Sequence, residues 1–168
     1  MVDLETLATT PDAAVLTIGA CRFDPKGNDI DTTFYERIKL ETQENYNRVI
    51  NEDTLSWWSQ QDKQIQEDAF GEGDDRIDLQ DAMKKLYTFG LGTTNVWSHG
   101  AIFDIVILEN ICKSFQQAIT WKFWEVRDTR TLFDIADINI NVQGKHNALT
   151  DAVAQAKAVQ QAYKKLKL

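Results

Sequence analysis

Asp3 and Glu5 stand one residue apart in the stretch Met1-Val2-Asp3-Leu4-Glu5. If this stretch opens a β-strand, its side chains alternate between the two faces of a sheet. The two carboxylates then share a face, about 7 Å apart at ~3.3 Å per residue. Val2 and Leu4 point the other way and can be buried. Neighbouring carboxylates repel each other, and a divalent cation relieves that repulsion most simply. The pair reads as half of a metal site on a central strand, with its remaining ligands to come from elsewhere in the chain.

Two later places can supply them. In Ile102-Phe103-Asp104-Ile105-Val106-Ile107-Leu108 one carboxylate sits inside an apolar run. A buried Asp is costly unless it is paired or ligating. Helix capping is the plain alternative, but Ser98 and Gly100 in the preceding turn are available for that job. The other place is His146-Asn147-Ala148-Leu149-Thr150-Asp151. Positions five apart within one helix diverge by about 140°. His146 in a loop and Asp151 in the first helical turns can face one site. Taken singly, a surface His and an acid favoured by the helix dipole are unremarkable.

These residues need a frame, and the chain reads as α/β. Strands are expected at 1–5, 13–23, 32–40, 95–98 and 123–126, five in all. The turn Asp24-Pro25-Lys26-Gly27-Asn28-Asp29 joins the second and third. Asp24, Asp29 and Asp31 lack the spacing of a calcium loop and read as solvated turn residues. Asn51 or Asp53 caps a helix running through Trp57 and Trp58 toward Gln64. The stretch 67–78 reads as an acidic loop. Further helices are expected at 77–89, 102–115 and 147–166, and one capped by Asp128 through Leu132 to Ile135. The stripe Leu149, Ala152, Val153, Ala156, Val159 would pack the last helix on the sheet.

At 168 residues, 43% hydrophobic and 10% aromatic, the chain suits a single domain with a full core. There is no run of ~18 apolar residues and no basic segment ahead of an apolar one, so a cytoplasmic protein is expected, without membrane partners. Cys21 and Cys112, in no redox or metal spacing, read as reduced core residues. The net charge of -8 excludes a protein that coats long nucleic acid through a broad basic surface. It leaves room for one that grips a chain end through cations held in an acidic pocket.

Together, Asp3-x-Glu5, Asp104 at a helix and His146-x-x-x-x-Asp151 resemble the three motifs of the DEDDh 3'→5' exonucleases. The resemblance spans nearly the whole chain. Asp3-Leu4-Glu5-Thr6-Leu7, Ile18-Gly19-Ala20, Phe23-Asp24, Trp57-Trp58 and Ser98-His99-Gly100-Ala101-Ile102-Phe103-Asp104 look most like the DexA-type phage exonucleases and their small bacterial exoribonuclease relatives. The resemblance implies a ribonuclease-H-like mixed five-stranded sheet flanked by helices. It also implies two-metal hydrolysis that releases nucleoside 5'-monophosphates from a 3' end. Asp3 would bridge two cations, Glu5 and Asp151 would complete one, and Asp104 would hold the second directly or through water. Oxygen-only ligands suit Mg²⁺ or Mn²⁺ rather than zinc. His146 would act as general base, since histidine as a residue type titrates near neutrality. His99 is the one rival base in a chain with two histidines, and otherwise a substrate contact.

For substrate contacts, the family places the terminal nucleotide against Thr6 and an apolar wedge at Leu7. Adjacent helical residues point about 100° apart, so one of Trp57 and Trp58 can be core while the other stacks on a base. Lys145 could meet a phosphate. Single-stranded DNA is favoured over RNA, through the DexA likeness alone. A homodimer is compatible with the family, but no motif indicates one. Two other classes stay open: a degenerate, non-cleaving binding module, and a metal-dependent phosphoesterase acting on nucleotides.

Overall fold

The structure, a computed structural model, describes residues 1–140 and 146–168. Lys145 lies outside the described residues. Strands β1 (Val2–Thr6), β2 (Val15–Phe23) and β3 (Ile30–Ile38) form an antiparallel meander, and the short β4 (Arg76–Ile77) adds in parallel beside β3. Strands β5 (Val96–Ser98) and β6 (Val126–Asp128) pair in parallel with each other. β5 packs next to β1, but among the described residues no ladder joins them. The expected single five-stranded sheet is therefore a mixed four-stranded sheet with a two-stranded sheet at its side, within the same α/β class.

Two sequence expectations shift. The stretch 123–126 was expected as a strand; Phe123–Glu125 instead forms a 3-10 turn, and the strand begins at Val126. The Lys122 N–H donates to Glu125 Oε2 at 2.6 Å, which closes the turn before the chain can extend. The expected acidic loop at 67–78 contains the end of α2 (Lys63–Phe70) and β4. Arg76 holds this segment, donating to the carbonyls of Ile38, Ala69 and Gly71. The Trp-bearing helix α1 (Glu52–Ser59) is correspondingly shorter than expected.

The alternation of β1 decides the layering. Val2 and Leu4 enter the main core with Ile18 and Ala20 of β2. That core is closed by Leu79, Met83 and Leu86 of α3 (Leu79–Gly90) and by Ile105, Leu108 and Ile111 of α4 (Asp104–Ser114). On the opposite face Met1 and Cys21 meet Ala152, Ala156 and Val159 of α6 (Ala148–Leu166) and Phe133 of α5 (Thr129–Ala136). Cys21 and Cys112 are both buried free thiols. A third cluster joins Leu7 and Leu16 to Trp58 and Ala69 of α1 and α2.

One glycine sets the approach of α6. A Cβ on Gly19 would lie 2.1 Å from the Ala148 carbonyl carbon and 2.3 Å from the Leu149 nitrogen. Backbone thus rests on backbone where α6 begins, a contact that no larger residue permits. Gly19 is the cross-strand partner of Asp3. The missing side chain on β2 is what lets the start of α6 lie over the carboxylates of β1.

Candidate active site

Asp3 and Glu5 face the α6 side of the sheet. Asn147 caps α6, its side chain accepting from the Thr150 N–H at 3.0 Å. Asp151 follows in the first turn, and its Oδ2 accepts from the His146 N–H at 2.8 Å. His146 itself lies in the left-handed region, at φ 69°, a conformation costing about 1–2 kcal/mol for a non-glycine residue. One oxygen each from Asp3, Glu5 and Asp151 lies within 4.8 Å of the others.

Asp104 stands at the first turn of α4, behind this trio. Its Oδ1 accepts from the Leu4 N–H at 3.1 Å, and its Oδ2 accepts a short bond from the Ser98 hydroxyl. It does not cap its own helix. Instead it fastens β1 to the end of β5, with both oxygens spent on donors.

Burial and mutual repulsion act on these acids together. Burial pushes the Asp3 carboxyl well above the usual carboxylate range, reinforced by the charges of Asp104 and Glu5. Glu5 is pushed up to about 8 by burial and by Asp151 and Asp104. Asp104 rises to about 6 through burial, with Ser98 and Leu4 opposing. Glu5 in particular keeps its proton at neutral pH unless a cation compensates its charge. The donors are all oxygens, which suits a hard divalent ion.

The acids, His99, Arg130, Ile140, His146 and Gln155 line a cavity of about 340 Å³. A carboxylate cluster built from β1, α4 and α6, a histidine beside it and an open cavity are the parts of a hydrolytic site.

Residues 1–163 match the model of the 3'-5' exoribonuclease Rv2179c-like domain. The chain is also similar to an exodeoxyribonuclease of Enterobacteria phage T4, at 23% identity over 159 residues, covering 78% of this chain and 68% of the phage protein. This chain belongs to the 3'-5' exoribonuclease Rv2179c-like domain family. It is a 3'-5' exonuclease domain, a hydrolase acting on nucleic acid.

Within this Rv2179c-like domain the expected substrate contacts fare differently. Trp58 is 2% exposed and packs in the third cluster, its indole N–H donating to the Thr6 carbonyl at 2.9 Å. Trp57 is 41% exposed, and its ring meets the His146 ring edge-on with centroids 4.8 Å apart. Leu7, expected as a wedge against the terminal nucleotide, is 1% exposed and belongs to the core instead. The turn after β1 folds inward so that Leu7 N–H and C=O bond to Ala14 and Asn51. The Thr6 hydroxyl donates to the Ala8 carbonyl at 2.7 Å. His99 lines the cavity with its Nδ1 2.8 Å from the Thr129 hydroxyl. Burial and the Arg130 charge lower its pKa.

Sequence reasoning missed three members. Gln155, 6% exposed, donates from Nε2 to Asp3 Oδ1 at 2.8 Å. It lies four residues after Asp151, hence on the same helical face, a spacing that could have marked it. Ser98 was considered only as a cap. Arg130 follows the Asp128-Thr129 pair, and nothing in its local pattern points to the cavity.

Proposed function

We propose that this domain removes nucleotides stepwise from the 3' end of single-stranded nucleic acid, releasing nucleoside 5'-monophosphates, with two divalent cations and His146 as general base. The observation that carries the reading is the convergence of Asp3, Glu5 and Asp151, acids whose crowded charges call for a cation. When bound, two hard cations supply electrostatic stabilisation of the attacking and leaving oxygens of an in-line displacement.

Asp3 feels the charges of Asp104, Glu5 and Asp151 together, and it is the carboxylate that would serve both ions. Glu5 and Asp151 would complete one site. Asp104 would help hold the other, with Leu4 and Ser98 donating to its oxygens and fixing its orientation. Gln155 holds Asp3 Oδ1 in one orientation. The His146 ring, set by its backbone bond to Asp151 and by the Trp57 edge, takes the proton from the attacking water. The exposed part of Trp57 stacks on the terminal base, worth ~1–3 kcal/mol without sequence preference. His99, which lines the same cavity, serves as a substrate contact.

For the sugar, DNA is carried forward because the phage T4 relative is named an exodeoxyribonuclease. A second reading, RNA, is favoured by the family description. Matched 5'-labelled DNA and RNA oligomers incubated with Mg²⁺ or Mn²⁺ decide between them. A ladder shortening from the 3' end supports the exonuclease. Release from a nucleotide analogue alone supports the phosphoesterase, and undiminished cleavage by Asp3→Ala overturns the site.

A further inference from the structure

Arg130 is the one Lys or Arg among the described residues lining the catalytic cavity. A second cavity of about 390 Å³ runs on beside the first, lined by Phe133, Asp134, Asp137 and Ile138. The two cavities share His99, Arg130 and Ile140, and Arg130 is again the only described cation. The guanidinium therefore stands where one cavity passes into the other.

Its side chain is seated. Arg130 Nε donates to the His99 carbonyl at 3.2 Å. Beneath it lies Gly100, at φ 111°, where a Cβ would come within 3.2 Å of Nε and 3.5 Å of Nη2. The absent side chain there leaves the guanidinium room to lie against the turn. Arg130 makes no ion pair with a described residue, and its Nη1 and Nη2 donate to none. Asp104 feels its charge without touching it. A positioned guanidinium with its fork of N–H groups open has the geometry that takes phosphate oxygens.

We propose that Arg130 binds the phosphate next to the scissile one, so that the substrate strand leaves the catalytic cavity across Arg130 into the cavity along α5. This rests on the exonuclease reading above. Cations held by the acids can neutralise the scissile phosphate alone. The next phosphate of a polyanion must pass an acidic protein surface, and Arg130 is the counter-charge placed to receive it. Such a contact recognises strand backbone without reading a base.

Three substrates test it in the full chain: a short oligonucleotide, the same oligonucleotide with a neutral methylphosphonate at the linkage preceding the scissile one, and a nucleoside 5'-(p-nitrophenyl phosphate) that has no second phosphate. For Arg130→Gln, kcat/KM on the oligonucleotide should fall roughly 10- to 100-fold, the range for lost charge-assisted hydrogen bonds. Any loss on the nitrophenyl ester and on the methylphosphonate strand, through the charge that Asp104 feels, should be alike on the two and much smaller than on the oligonucleotide. Arg130→Lys should recover part of the loss. The dependence of log KM on log salt should flatten by about 0.7 for the one phosphate contact removed. Equal rates of Arg130→Gln and wild type on the oligonucleotide overturn the proposal, as does an equal loss on all three substrates, which marks a structural role. A wild type inactive on the oligonucleotide is a different failure, that of the exonuclease reading itself.

Discussion

The two faces of β1 carry opposite loads. Val2 and Leu4 are packed against Ile18, Leu79 and Ile105 in the main core. Asp3 and Glu5, on the other face, lie under the start of α6 among carboxylates that repel one another. One strand thus gives its apolar face to folding and its polar face to a site that is costly to keep. The lesson is that damage to one face should appear as lost stability, and damage to the other as lost chemistry.

The largest expected break is on the polar face. Asp3→Asn should lower the rate of nucleotide release by at least about 10³-fold, since charge stabilisation is usually the largest catalytic term. Its thermal midpoint without metal should rise at neutral pH, because folding forces a proton onto the buried Asp3 carboxyl, a cost that Asn does not carry. A parallel fall in melting temperature would contradict the division between faces. On the apolar face, Leu4→Ala should cost about 2–5 kcal/mol in urea unfolding, while the folded fraction keeps its activity per molecule. Gly19→Ala joins the two effects. Its Cβ meets α6 backbone, so both stability and metal-dependent activity should fall, read by denaturation and by calorimetric titration with Mn²⁺.

The adjacent tryptophans repeat the comparison on a smaller scale. Trp58→Ala should destabilise by about 3–5 kcal/mol as a buried aromatic lost from the core. Trp57→Ala should leave the melting temperature nearly unchanged and weaken strand binding by ~1–3 kcal/mol, measured by fluorescence anisotropy. The smallest effect is spread over pH. Glu5, with its pKa raised to about 8 in the fold, keeps its proton where the unfolded chain has lost it. The unfolded state then binds fewer protons, and stability declines as pH rises from about 4.5 toward 8. Metal-free protein should melt lower at pH 8 than at pH 5, and Mg²⁺ should narrow that gap. Equal melting at both pH values would falsify the raised value at Glu5.

Much of this architecture was legible from local pattern. Period-two alternation at residues 2–5 separated core from carboxylate face, and Asn147 and Asp128 marked helix starts through side chains that accept nearby N–H groups. The boundary at residues 123–128 was not legible, because a Glu125 bond to its own turn outweighs strand propensity. The fate of Leu7 was hidden for a similar reason. An apolar residue after a strand looks the same whether it meets a ligand or a core, and only the fold of the next loop decides.

By itself the sequence determined which residue types were available for chemistry, their order, and the faces on which strand and helix periodicity put them. Tertiary structure alone decided that Gly19 admits the α6 backbone, that Ser98 and Leu4 take up both oxygens of Asp104, and that Arg130 reaches the cavity from a helix 26 residues beyond that acid in the chain. Periodicity is a property of neighbours along the backbone. Contacts across such separations depend on how whole elements pack, which no local pattern encodes.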